Sequence, residues 1–178
     1  EPIWLLADGN LRLADAGYSR ATLRADLTYN RLPPSKVKVE LEGEGFRIVA
    51  YSVTGVEVDQ RQHAKNIAAP QVGLHFVAGV AQDIPFPDAS FDLALMLKSL
   101  HHVPMPLLAQ ALRETARVLR HGGHLYVSEP VYAGSLNEIV RLFNDEGVVR
   151  AAAQAALDEA LRGGTWEQVA ERRFEMPV

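Results

Sequence analysis

The chain contains no cysteine. Disulfides, thiolate metal sites and thiol nucleophiles are therefore excluded. It has no long hydrophobic run either: the longest unbroken aliphatic stretch is Leu93 to Leu97, far below the roughly 20 residues of a membrane span. Neither sign of charge dominates. With 18 Lys and Arg against 22 Asp and Glu, the net charge is −4 and the isoelectric point about 5.9, so no electrostatic footprint for nucleic acid or an anionic membrane is present. The nucleophile elbow G-x-S-x-G and the dinucleotide fingerprint G-x-G-x-x-G are both missing. Ile3 to Ala7 has no basic flank and no long apolar region, so no secretory leader is expected. The chain begins at Glu1 rather than Met, and its start is expected to have been trimmed or to be unobserved. A cytoplasmic protein is the expectation.

What is present suits a soluble α/β protein. Hydrophobic residues make up 48% and charged residues 22% of 178 residues, enough for one domain with a full core. Turn residues Asp8-Gly9-Asn10 and a short helix over "YSRATLRADL" (18–27) are expected before the breaker "RLPPSK" (31–36). That breaker separates an N-terminal segment, 1–36, a potential lid, from a main domain, 37–178. In the main domain strands are expected at 37–41, 53–58, 74–80, 91–97 and 124–130. Helices are expected at 60–68 and at 106–120, the latter with one apolar face through Leu108, Ala111, Leu112, Val118 and Leu119 and "HGG" as its C-terminal cap. "SLNE" (135–138) reads as a capping box opening a long helix to Leu161, and "TWEQ" (165–168) opens another. Strands alternating with helices imply a parallel sheet.

The block "DIPFPDASFDLALMLKSLHHV" (83–103) places a buried strand before a polar loop. Ligands of open α/β sheets bind at the C-terminal strand ends, so Lys98, Ser99, His101 and His102 stand where a ligand would. Adjacent side chains diverge, so at most one of the two histidines is expected to face a site. No further His, Asp or Glu is spaced to complete a metal site with them, and no metal is expected.

This block, with "RETARVLRHGGHLYVSEP" (113–130), resembles the class I S-adenosylmethionine-dependent methyltransferases, in the branch that methylates C and O atoms of small molecules. The resemblance covers roughly 37–130. It implies a Rossmann-like, mostly parallel sheet with helices on both faces; the last strand pair of such a sheet is not visible, although "RRFEMPV" could begin a sixth strand. It also implies S-adenosylmethionine as the methyl donor. Glu57, followed by Val58, matches the acid that holds both ribose hydroxyls, with Asp59 as the alternative two residues on. "GVAQD" matches the adenine-edge turn, through Val80 (usually Asp in the family), Ala81 and either Gln82 or Asp83. Leu97 and Lys98 match the backbone facing the methionine moiety. The reaction implied is in-line methyl transfer to a small-molecule acceptor, with His101, His102 or Glu129 as general base. No nucleic acid or membrane partner is expected, and nothing specifies an oligomeric state. A domain that binds without catalysing is the alternative. A nicotinamide-dependent oxidoreductase is a third reading, since an acid after the second strand would suit that cofactor too.

The family's first loop is acid-x-Gly-x-Gly-x-Gly; here "ELEGEGF" offers Glu40, Gly43 and Gly45. A helix returning across a sheet about 20 Å deep needs roughly 13 residues, and only seven lie between Phe46 and Ser52. Either residues are absent near 46–53, or the helix has been lost, or 37–52 folds as a hairpin turning at Glu42-Gly45. The expectation is the first: a strand at 37–41 parallel to 53–58, a helix begun after Gly45, and a break before Val53.

Overall fold

A computed structural model describes residues 52–70 and 73–173, apart from the Leu136 side chain, and the backbone of four strands before them. Five strands form one sheet. They are β1 (Ile3–Leu6), β5 (Val53–Glu57), β6 (Leu74–Ala78), β7 (Phe91–Leu97) and β8 (Leu119–Ser128), in the order β6-β5-β1-β7-β8. β5 pairs parallel to β6 and β7 parallel to β8, while β1 runs antiparallel to both β5 and β7. So β5 to β8 share one direction, and the sheet is Rossmann-like with a single reversed strand at its centre.

A second sheet, in the order β2-β3-β4, is antiparallel: β2 (Thr22–Ala25), β3 (Val39–Gly43) and β4 (Phe46–Ala50). The expected parallel strand at 37–41 and the helix after Gly45 are thus corrected; the expected break before Val53 falls next to Tyr51, which lies outside the described residues. β3 and β4 form the hairpin, with Gly43 opposite Phe46 and Val39 opposite Ala50. The sequence explains it. Two residues separate the strands, the second of them glycine, which suits a tight hairpin turn. The register sets Leu41 across from Ile48 and Glu42 across from Arg47. The expected helix at 18–27 is corrected too, since Thr22–Ala25 is a strand. The turn at Asp8-Gly9-Asn10 lies outside the described residues.

Two crossovers make the parallel pairs. α1 (Gln60–Ala68) joins β5 to β6 and packs on both. α2 (Leu108–Val118) joins β7 to β8 and buries Leu108, Ala111, Leu112, Thr115 and Val118, one helical face. α4 (Gly147–Arg162) packs against α2, with Ala153 in the shared core. In β7, Leu93, Ala94, Leu95 and Met96 are at most 1% exposed. Alternate residues of a strand face opposite ways, so both faces of β7 are covered.

Three local expectations change. "HGG" does not cap α2: Leu119 already pairs with Phe91, and the register jumps so that His124 faces Leu93. Residues 120–123 bulge out between those pairs, with Gly122 at φ +76°, a conformation that favours glycine. The long helix from Ser135 is two helices, α3 (Ser135–Val140) and α4. Gly134, not Ser135, sits at the N-cap of α3, and no side chain caps it. The break between them follows from Asp145, whose Oδ1 accepts the Gly147 amide at 3.0 Å and the Tyr132 hydroxyl at 2.7 Å; such local side-chain bonds compete with helix. Finally, Thr165 to Arg173 is not helical, and the end of "RRFEMPV" lies outside the described residues.

The turn before β7 is pinned from α2. Arg117 donates to the carbonyls of Ile84 (3.0 Å) and Phe86 (2.8 Å), to Asp88 (2.8 Å) and twice to Glu114. Glu114 also accepts the Ile84 amide at 3.1 Å. The Arg117 hydrogen bond holds the Glu114 carboxyl below its ordinary range despite partial burial. Arg117→Ala leaves those acceptors unpaired and is expected to destabilise the fold by about 2–3 kcal/mol. Urea unfolding measures this, and an unchanged midpoint would show the clamp to be idle.

Candidate active site

Because β5 to β8 run the same way, their C-terminal ends lie along one edge of the sheet. Glu57 ends β5, the turn 79–83 follows β6, Leu97 and Lys98 end β7, and Glu129 follows β8. Every candidate that the sequence placed after 52 is therefore on that edge. Glu40 and Gly43 are not: they belong to β3 in the three-stranded sheet, and Gly45 lies outside the described residues.

Glu57 is 3% exposed. Its Oε1 accepts the Asp59 amide at 3.0 Å, and its Oε2 is buried with no hydrogen-bond partner. A buried carboxylate oxygen without a donor is costly; a ligand hydroxyl would satisfy it. Asp59 is occupied differently. Its Oδ1 accepts the amides of Arg61 (2.7 Å) and Gln62 (3.1 Å), capping α1. Those backbone donors, Gln62 first, hold its carboxyl below the ordinary range. Of the two acids, Glu57 is the one with a buried carboxylate oxygen that lacks a partner, whereas Asp59 is exposed and its Oδ1 serves the cap. Asp59→Ala is expected to fray α1 and lower the melting temperature by at most a few degrees, with ligand affinity unchanged in calorimetry.

The neighbouring positions frame that edge. Val58 is exposed. Val80 and Asp83 close a tight turn in which the Asp83 amide donates to the Val80 carbonyl at 3.2 Å, and Ala81 is buried there. The Gln110 side chain donates to the Gln82 carbonyl at 2.9 Å, so α2 fixes the turn. Leu97 ends β7, and Lys98 follows at φ +53° with its amide on the Ser128 carbonyl at 2.7 Å. A lysine in the left-handed region is strained, and here the strain bends the chain sharply off the strand end.

That bend leads into one turn of 3-10 helix, Leu100–His102. His101 is 4% exposed and His102 is exposed, with ring centroids 4.1 Å apart. The two rings differ in burial but do not diverge as expected: they lie side by side, and a nitrogen of each comes within 4.8 Å of Glu146. Glu129 reaches across from β8: its Oε1 accepts the Leu100 amide at 2.8 Å, and its Oε2 is hydrogen-bonded to His101 Nδ1. A carboxylate only accepts, so this bond favours the tautomer with its proton on Nδ1. Ser99 Oγ, next to this turn, is buried without a partner.

Two residues in this cluster were not legible in the sequence. Glu146, just before α4, places Oε2 3.8 Å from His101 Nε2. Arg150 binds that same oxygen at 2.5 Å, and Asn144 donates to Oε1 at 2.9 Å. Burial raises the Glu146 carboxyl, but Arg150 first and then His101 outweigh it and hold it below the ordinary range. The ligand atoms of His101, His102 and Glu146 lie within 4.8 Å of one another, close enough for a divalent ion. In this structure the Arg150 guanidinium takes the Glu146 oxygen nearest His101, so that carboxylate is held in an ion pair. The signal that could have shown it was the carboxylate and arginine one helical turn apart, Glu146 and Arg150.

Comparison with known proteins bears on what this edge serves. A family model described as a methyltransferase domain matches residues 41–127. That match takes in a little under half of the chain and marks the stretch as similar to a methyltransferase domain. Similar proteins include a fatty-acid O-methyltransferase of Mycolicibacterium smegmatis, 37% identical over 109 residues. That match covers 61% of this chain and 37% of the relative. A 27-O-demethylrifamycin SV methyltransferase of Amycolatopsis mediterranei is 38% identical, covering 43% of this chain and 29% of the relative. A solved SAM-dependent methyltransferase of Thermotoga maritima superposes with a TM-score of 0.49 at 28% identity, over 65% of this chain and 55% of that one. The chain thus spans well under half the length of the two named relatives. Among the described residues, no helix is long and apolar enough to cross a membrane.

Proposed function

We propose that this chain takes part in methyl transfer from S-adenosylmethionine to an oxygen of a small-molecule acceptor, in the cytoplasm. One observation carries the reading: a single sheet edge holds both an orphaned buried carboxylate oxygen, on Glu57, and an imidazole oriented by a carboxylate, His101 with Glu129. The first suits a vicinal diol such as ribose, since a carboxylate accepts two hydroxyl donors. The second suits removal of a proton. Oxygen is the nucleophile favoured, because the relatives named above include O-methyltransferases.

When bound, S-adenosylmethionine supplies a methyl group on a sulfonium: the new O–C bond forms as the C–S bond breaks, and sulfur leaves as a neutral thioether. Glu57 holds the ribose, with Val58 beside it. Ala81, with Val80 and Asp83 in the same turn, borders the adenine. The backbone of Leu97 and Lys98 faces the methionine moiety. His101 Nε2 takes the acceptor's proton, Glu129 holds the ring by Nδ1, and exposed His102 lines the approach. Aligning these groups is the protein's main task, because the donor is already activated.

The test is release of S-adenosylhomocysteine when the protein is given S-adenosylmethionine with a panel of long-chain carboxylic acids and hydroxylated aromatic compounds. Acceptor-dependent release supports the reading. A folded chain that binds the donor yet methylates none of them, and instead only holds it, would favour a binding module.

A further inference from the structure

His101 meets a carboxylate at each ring nitrogen. Nδ1 is bonded to Glu129, and Nε2 faces Glu146 Oε2 at 3.8 Å. That second separation is too long for a hydrogen bond. It does not lock Nε2, but it is short enough for strong charge interaction. We propose that Glu146 is a positioning residue for the His101 base, holding its charged form as the acceptor's proton arrives. The proposal rests on the methyl-transfer reading given above and extends it to a residue 45 positions further along the chain.

The step balances simply. As the acceptor oxygen gains its methyl group, its O–H bond breaks, the bonding pair stays on oxygen, and the proton bonds to Nε2. The imidazole becomes a cation with Glu129 on one side and Glu146 on the other. The charged and titratable groups that face His101 come from three elements. Glu129 comes from the end of β8, His102 from the same 3-10 turn, and Glu146 from the start of α4, with Arg150 behind it. Arg150 and Asn144 hold the Glu146 carboxylate in place, so its position does not depend on His101. The single turn bearing His101 also packs against α4, which keeps the two elements together.

Glu146→Gln keeps the shape and removes the charge. An opposite charge this close favours the charged form of the ring. In the folded variant, the His101 ring-proton titration followed by NMR is therefore expected to move to lower pH. This reading needs no turnover. In the donor-and-acceptor assay, the acid limb of the pH–rate profile should move the same way, with the maximal rate about tenfold lower and the KM for S-adenosylmethionine unchanged. Glu146→Asp should recover part of the rate. Arg150→Met, which leaves Glu146 less neutralised, should move the titration to higher pH. A shifted titration without turnover supports the pairing and counts against the methyl-transfer reading. An unmoved His101 titration in folded Glu146→Gln overturns the proposal.

Discussion

Glu57→Ala is expected to weaken S-adenosylmethionine binding by about 2–3 kcal/mol, roughly 30- to 150-fold. The size follows from the state of the carboxylate in the free protein. Its Oε1 is engaged by the Asp59 amide, whereas its Oε2 is buried and unpaired. The chain already bears the cost of a desolvated oxygen there, and a bound diol recovers it. Alanine removes both the acceptor and that recovery. The protein should stay folded, because in β5 the neighbours Val53 and Val56 carry the apolar packing. Removing an unsatisfied buried group can even raise stability. Calorimetric titration of wild type and variant with S-adenosylmethionine measures the effect. Equal affinities, together with a collapse on Asp59→Ala, would move the ribose contact two residues along.

The second large effect concerns catalysis. His101→Ala is expected to lower kcat for methyl transfer by about 100- to 10,000-fold, the usual contribution of a positioned general base. Donor affinity should hardly change. Glu129→Gln should lose less, since Gln can still accept from the Leu100 amide while failing to fix the ring tautomer as a carboxylate does. His102→Ala should lose least, because that ring is exposed. The order of the three variants is the informative result. If His102→Ala costs more than His101→Ala, the buried ring is structural and the exposed one is the base.

How far the sequence could be read depends on whether local signals were unambiguous. β7 was legible because five consecutive aliphatic residues leave no solvent face, and both of its faces are indeed covered. The end of α1 was legible because Pro70 stops it, whereas its Asp59 cap emerged only from the structure. The edge carrying Glu57, Ala81, Lys98, His101 and Glu129 was legible because parallel crossovers force strand ends together. Gly43 and Gly45 were not, since glycines at that spacing serve a cofactor loop and a hairpin turn equally well. The length of the 46–52 segment excluded a complete crossover helix, and the register of Leu41 with Ile48 shows the hairpin that stands there. The break between α3 and α4 was hidden because apolar periodicity continues through Leu142 and Phe143, and only the side-chain bonds of Asp145 reveal it. Glu146 was invisible for that reason: its place beside His101 depends on that break.

The most direct test of the account is calorimetric titration of this chain, as it stands, with S-adenosylmethionine, S-adenosylhomocysteine and NAD. The account predicts saturable binding of the first two with dissociation constants on the order of micromolar, about −8 kcal/mol, and no heat from NAD. Folded protein that binds NAD, or that binds neither sulfur compound, would contradict it.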